Sequence, residues 1–303
     1  MANDMKTLSL IRLGFKFTSR LLLIGITAAL SGQAQNPPSG DAGKTNFLSD
    51  RRPGYWLLGT ENLGLWWCES GWKIGRERGL PEKPDPGQLK PVAVSAAQGE
   101  YEAAQVILRP EKDGELLSAQ AGPLRDSRGQ EAPIAVRVEE VAYVQVTQPT
   151  DASCLRGWYP DPLPPLRTPL ALRAGQNQPL WLTFHVARGT KAGQYRGELE
   201  LKTSFGIVRA PLEVQVFDFA LPEETHLKSA LGLGRGEINR YHRLASREDQ
   251  EAVYEKYLRN FAEHRISPYS FYDHAPMDIR FVGEGTNKQA RVDFARFDRA
   301  ATK

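Results

Sequence analysis

Tyr195-Arg196-Gly197-Glu198-Leu199-Glu200-Leu201-Lys202 places Tyr195, Leu199 and Leu201 in one phase and Arg196, Glu198, Glu200 and Lys202 in the other. A period of two with one apolar and one charged phase is a β-strand with one buried and one wet face. Residues upstream repeat the pattern: Leu182, Phe184 and Val186 alternate with Trp181, Thr183 and His185. Further runs of strand-forming composition cover residues 63–68, 92–95, 103–108, 134–146 and 207–216. Seven or eight short strands separated by turn residues predict an immunoglobulin-like β-sandwich over residues 55–221. Within 134–146 the apolar phase changes at Glu139-Glu140, where a bulge would restore the register. Residues 157–169 carry prolines at 160, 162, 164, 165 and 169, which cannot donate to a ladder, and are expected as an extended connection between sheets.

Downstream of Phe219 the period changes. Residues 227–233 read as a strand, and Ser246-Arg247-Glu248-Asp249 reads as a capping box with Asp in place of Glu or Gln. Val253, Tyr254, Tyr257, Leu258, Phe261 and Ala262 then recur at helical spacing; His264 and Arg265 suit the C-terminus and Pro268 ends it. Residues 270–272 are expected as a second strand and 294–302 as the start of another helix. Strand, helix, strand, helix is the opening of a (β/α) barrel, with parallel strands joined by a crossover. The expected organisation is therefore β plus α/β: a sandwich, then an incomplete (β/α) barrel over residues 222–303. A barrel closes with eight strands and carries its chemistry on loops at their C-terminal ends, so a truncated barrel of two units is expected to be inactive alone.

The N-terminus reads differently again. Lys6, Arg12, Lys16 and Arg20 precede the apolar run 21–30, and Gly32-Gln33-Ala34 is a small-x-small site, the pattern of a signal peptide over residues 1–34. Ten apolar residues are too few for a membrane span, which implies a secreted or periplasmic mature chain with no membrane partner. Losing these four basic residues and Asp4 takes the formal charge from +3 to 0, so the basic balance does not point to nucleic acid. Residues 35–54, rich in Pro, Gly, Ser and Asp, read as a poorly ordered linker. The two thiols, Cys68 and Cys154, either form one disulfide in an oxidising compartment or stay as separate buried thiols.

Five stretches carry a resemblance. Leu65-Trp66-Trp67-Cys68-Glu69-Ser70, Gly99-Glu100-Tyr101-Glu102-Ala103-Ala104-Gln105, Gly157-Trp158-Tyr159-Pro160-Asp161-Pro162, Lys191-Ala192-Gly193-Gln194-Tyr195-Arg196-Gly197 and Phe217-Asp218-Phe219 before Leu221-Pro222 resemble the N-terminal region of bacterial glycoside hydrolase family 123-like proteins. The resemblance spans residues 55–303. It implies a sandwich followed by a (β/α)8 barrel that removes N-acetylgalactosamine from glycan ends, so the implied partner is a glycan with a terminal N-acetylhexosamine. The implied chemistry is substrate-assisted retention: the sugar's acetamido oxygen attacks the anomeric carbon, an Asp orients it, and a neighbouring Glu protonates the leaving oxygen. That pair is expected beyond residue 303, so no catalytic residue is carried over, and no cofactor is implied.

Candidates for sugar contact remain. Tyr272, Asp273 and His274 follow the second expected barrel strand, where a carboxylate and an aromatic ring can bind a sugar, or where the same residues form an ordinary turn. Arg235 and Glu237 follow the first. The acidic pairs Glu139-Glu140, Glu223-Glu224 and Glu248-Asp249 read as solvated or capping pairs. Trp66 and Trp67, adjacent on a strand, point to opposite faces; with Trp72 they read as an interface with the barrel, or as the sugar-stacking surface of a non-catalytic binding or structural module. His185 reads as exposed or interdomain. Gly232-x-Gly234-x-Gly236 fails as a dinucleotide fingerprint because position 237 is Glu, and His and Cys show no zinc spacing.

Overall fold

The computed structural model describes residues 47–82, 84–85, 87–150, 154–227, 229–268 and 277–301. The elements in chain order are β1 (Tyr55–Trp56), β2 (Leu63–Glu69), β3 (Val92–Gln98), β4 (Glu100–Pro110), β5 (Gly114–Ala121), β6 (Ile134–Glu140), β7 (Tyr143–Val146), β8 (Gly157–Pro160), β9 (Leu170–Leu172), β10 (Gln178–Val186), β11 (Gly193–Thr203) and β12 (Gly206–Ala220). Then follow α1 (Arg235–His242), α2 (Arg247–Glu263), β13 (Asp278–Val282), β14 (Gln289–Asp293) and α3 (Ala295–Ala301).

Two five-stranded sheets, β1-β2-β4-β10-β6 and β3-β12-β11-β5-β9, share one apolar core. The alternations set their faces. Leu182, Phe184 and Val186 point inward from the first sheet, and Tyr195, Leu199 and Leu201 from the second, where Val208, Leu212 and Val214 of the neighbouring strand join them. Arg196, Glu198 and Lys202 face water, where Arg196 pairs with Glu213 at 2.9 Å. The pairing is mixed: β3 runs parallel to β12, the rest antiparallel.

The phase change at Glu139-Glu140 is not a bulge. β6 stops there and the chain passes into β7, which leaves the large sheet and pairs with β8 in a separate two-stranded sheet. Gly157–Pro160 is therefore a strand, not only a connection. The prolines after it act as acceptors: Pro162 and Pro164 carbonyls take the Ala142 and Glu140 amides at 3.0 and 3.2 Å. From the bridge at Pro165 to Glu139, on the edge of the first sheet, the chain then crosses to β9 in the second, as expected.

Residues 47–54, assigned by composition to the linker, are packed. Phe47–Ser49 forms a short 3-10 turn, Leu48 is buried, and its carbonyl accepts the Gly75 amide at 3.2 Å. Gly54 has φ +127°, and a Cβ there would sit 2.7 Å from Trp66 Cε3, so both conformation and space require glycine. Residues 1–34, read above as a signal peptide, and residues 35–46 lie outside the described residues.

Downstream of β12 the structure departs from a plain strand-helix alternation. Among the described residues of 227–233, Leu231 alone pairs, in a parallel bridge to Pro268. Glycines at 232, 234 and 236 interrupt the apolar run, and α1 starts directly after Gly234. The capped helix stands as read: the Asp249 amide donates to Ser246 Oγ at 3.0 Å, and α2 runs to Glu263. A hairpin precedes α3 that the sequence reading did not contain, β13 pairing antiparallel to β14 around Gly283-Glu284-Gly285. Ile279 and Phe281 lie opposite Val292 and Ala290 on one face; Arg280 lies opposite Arg291 on the other.

Candidate functional site

Two polypeptide segments meet where the first and second barrel units were expected. The Leu231 amide donates to the Ser267 carbonyl at 3.0 Å, and the Ser267 amide donates to Ser229 Oγ at 2.8 Å, with α1 and α2 forming the connection between the two segments. Beyond Leu231 the chain turns through Gly232–Gly234 into α1, whose first residue is Arg235. Its side chain is 15% exposed, and Nη2 donates to Glu251 Oε1 of α2 at 2.7 Å. The guanidinium lies 5.8 Å from the ring centroid of Tyr254, which is fully buried. Arg235 therefore ties the first turn of α1 to α2. Glu237 is engaged on the surface with Arg240 one turn on. Of the sequence candidates, Arg235 is held at this junction and Glu237 is not turned into it; Tyr272, Asp273 and His274 lie outside the described residues.

The acidic pairs are engaged in ion pairs or caps, although Glu139 is mostly buried rather than solvated. Glu139 pairs with Arg137 at 3.2 Å, Glu223 with Arg188 at 3.7 Å, and Asp249 accepts the Ser246 hydroxyl at 2.6 Å. Among the described residues no group of three or more His, Cys, Asp or Glu is placed to hold a metal ion. Glu102 was not singled out by sequence. It lies across from the buried Phe184 on the neighbouring strand, and burial, with Glu100 adding to it, raises its carboxyl pKa above the usual range. Its alternation with Ala104 and Val106, both core residues, was the available signal.

Trp66 and Trp67 do point to opposite faces, but neither needs a barrel to cover it. Trp67 enters the main core and its Nε1 donates to the Lys90 carbonyl at 2.9 Å. Trp66 packs with Cys68, Ile74, Ile107 and Leu80 in a second cluster on the outer face of the first sheet. The cover is the sandwich's own excursion after β2. Arg78 from that excursion lies 4.4 Å from the Trp66 ring centroid, 3% exposed, and donates through Nη2 to the Pro53 carbonyl. Asn177 Nδ2 pins the same loop through the Gly75 and Arg78 carbonyls at 2.9 and 2.7 Å. Trp72 stays on the surface, 47% exposed. Cys68 is a fully buried thiol not cross-linked to Cys154, which is only half-buried; burial pushes the Cys68 pKa up to about 12.

At the other end of the sandwich, His185 stacks on Tyr101 of the adjacent strand with centroids 4.2 Å apart and planes at 12°. His264, at the end of α2, stacks on the same tyrosine at 5.2 Å and 21°. His185 is thus linked to the end of α2 by way of Tyr101.

No family model matches the chain, and no curated protein matches it. Among solved structures, a family 123 glycoside hydrolase from Clostridium perfringens, described for glycolipid glycan hydrolysis, superposes with a TM-score of 0.59 at 11% identity. The match covers 80% of this chain and 45% of that one, so this chain spans under half the length of that enzyme. The CooA pilin subunit of enterotoxigenic Escherichia coli matches 46% of this chain and 97% of its own at 15% identity, with a TM-score of 0.26. The likeness to the glycoside hydrolase is one of fold.

Proposed function

We propose that the intact protein is a secreted glycoside hydrolase of the family 123 type. In this reading residues 55–221 are its immunoglobulin-like sandwich and residues 222–303 the opening units of a (β/α)8 barrel. The single observation that carries it is the extent of the match. Eighty per cent of 303 residues is about 242, more than the 221 residues up to Leu221, so the likeness includes at least about 20 residues beyond the sandwich. An isolated parallel bridge between Leu231 and Pro268, joined through α1 and α2, is consistent with a helical crossover between parallel segments.

The substrate is a glycan with a terminal N-acetylhexosamine, including the glycan of a glycolipid. The acetamido oxygen attacks the anomeric carbon while an Asp holds it and a Glu delivers the proton to the leaving oxygen. In this reading both acids belong to later strand ends of the barrel, beyond residue 303. Tyr272, Asp273 and His274 contribute sugar contacts beside them.

The test has two parts. Reading the coding sequence past Lys303 is expected to reveal an adjacent Asp-Glu pair at the end of a barrel strand. A chain extended through that barrel is expected to release nitrophenol from nitrophenyl N-acetyl-β-galactosaminide, the 303-residue chain to release none, and replacement of the Glu by Gln to cut turnover by at least about a hundredfold. An extended chain that contains the barrel but neither cleaves nor binds N-acetylhexosaminides overturns the reading in favour of a structural or binding sandwich.

A further inference from the structure

We propose that Tyr101 is the fastener that orients the helical segment on the sandwich, and that the joint between them is a fixed bracket rather than a free linker. The inference stands apart from the glycosidase reading. It begins with the connection after β12. A flexible linker leaves its carbonyls to water. Here the Leu221 amide donates to the Gln98 carbonyl at 2.9 Å, extending the β12 edge by one residue. The Leu221 carbonyl then accepts from Arg188, which stands just beyond β10, and the Pro222 carbonyl accepts from Arg265, just beyond α2. One arginine comes from each side of the joint. Arg188 also reaches Glu223 at 3.7 Å.

The aromatic stack spans the same gap. Tyr101 projects from the outer face of β4 directly across from His185 on β10, so these two rings belong to one rigid sheet. His264 arrives from the helix. Its backbone amide donates to the Asn260 carbonyl at 3.1 Å, and its Nδ1 lies 2.8 Å from the same oxygen. A carbonyl only accepts, so Nδ1 carries a hydrogen, and that bond fixes the imidazole plane before it meets Tyr101. Arg265 follows in the left-handed region at φ 59°, which turns the chain back towards Pro222.

Among the described residues after Leu221, the buried apolar side chains are Ile238 and Tyr254, and both belong to the helices. The stack and the two arginine contacts cross the joint between the helices and the sandwich. Their reach extends to the candidate site, because α2 carries Glu251, which grips Arg235 at the start of α1. Tyr101 is a positioning residue for that junction.

The test uses the full chain with Tyr101→Ala, Tyr101→Phe and His264→Ala. Limited trypsinolysis reads cleavage at Arg243, Arg247, Lys256, Arg259 and Arg265, and hydrogen exchange reads residues 221–265 separately from β4 and β10. Tyr101→Ala and His264→Ala are expected to speed cleavage at least about tenfold with sandwich exchange unchanged. Tyr101→Phe keeps the ring and is expected to match the parent. Unchanged cleavage and exchange in both alanine variants overturns the proposal. So does a Tyr101→Phe variant as loose as Tyr101→Ala, or loosening by Tyr101→Ala spread equally over β4 and β10 while His264→Ala has no effect, since each outcome assigns Tyr101 to sheet stability alone.

Discussion

Glu102 shows how one residue can look ordinary in sequence and be set apart by its place. It occupies the inward phase of β4, two positions from Ala104, where a carboxylate loses water and faces Glu100 on the same side; the Ala103 amide offsets part of the effect. Its folded pKa is therefore raised. In the pH range between the unfolded and folded values the folded chain holds more protons than the unfolded one, so this residue lowers stability progressively as pH rises through that range. Glu102→Gln removes the charged form. Thermal melts across acid to neutral pH are expected to show a higher Tm for the variant at pH 7 and a smaller loss of stability on the rise from acid; a lower Tm at pH 7 with an unchanged slope rules the assignment out. Cys68 is the complementary case, a thiol that burial holds neutral, so it packs as a small apolar side chain beneath the loop that covers Trp66.

Among elements, α2 is the one whose ends were written most openly. Ser246 accepts the Asp249 amide and Glu248 and Asp249 lie in its first turn, where the helix dipole favours acids. Ser246→Ala is expected to cost about 1 kcal/mol of α2 stability. Because α2 shares no core with the sandwich among the described residues, that loss is expected in hydrogen exchange of residues 247–263 and not in β10 or β11; equal loosening of both contradicts it. The same locality explains what could be read. The phases of β10, β11 and β12 follow from residues two apart, so the two faces of the sandwich were legible from Leu182, Phe184, Leu199 and Leu201. The break after Glu140 was not, because a bulge and a hand-over to β8 produce the same local phase change. Nor was the cover over Trp66: Ile74, Arg78 and Leu80 carry no periodicity, and their link to Trp66 exists only once the chain folds back. The candidate site was legible mainly in outline. Arg235 was placed after the first unit, but its partner Glu251 lies 16 residues away on another helix, and nothing short-range joins them.

For the whole molecule, burial is divided very unevenly. The main core draws on both five-stranded sheets, from Leu57 to Val216, and a second cluster closes over Trp66. Beyond Leu221, β13 and β14 are exposed along their full length, and Phe281 is 72% exposed. A two-stranded hairpin with an uncovered apolar face has little stability of its own, and a pair of short helices with two buried side chains has hardly more. The sandwich therefore carries the folding free energy, and the helical segment is ordered by attachment. A chain of residues 47–226 retains every residue of both clusters and the pairing of Leu221 with Gln98. It is expected to fold alone, with a β-type circular dichroism spectrum and a Tm within a few degrees of the longer chain. Residues 227–303 alone are expected to show no cooperative melt. In the full chain, hydrogen exchange is then expected to separate into two tiers, with the amides of β10, β11 and β12 exchanging only through global unfolding and those of α1 and α2 through a lower-energy opening. A single tier, or a 47–226 chain that fails to fold while the full chain melts cooperatively, means that the segment after Leu221 contributes to the sandwich core, and the division of burial between the two parts is then wrong.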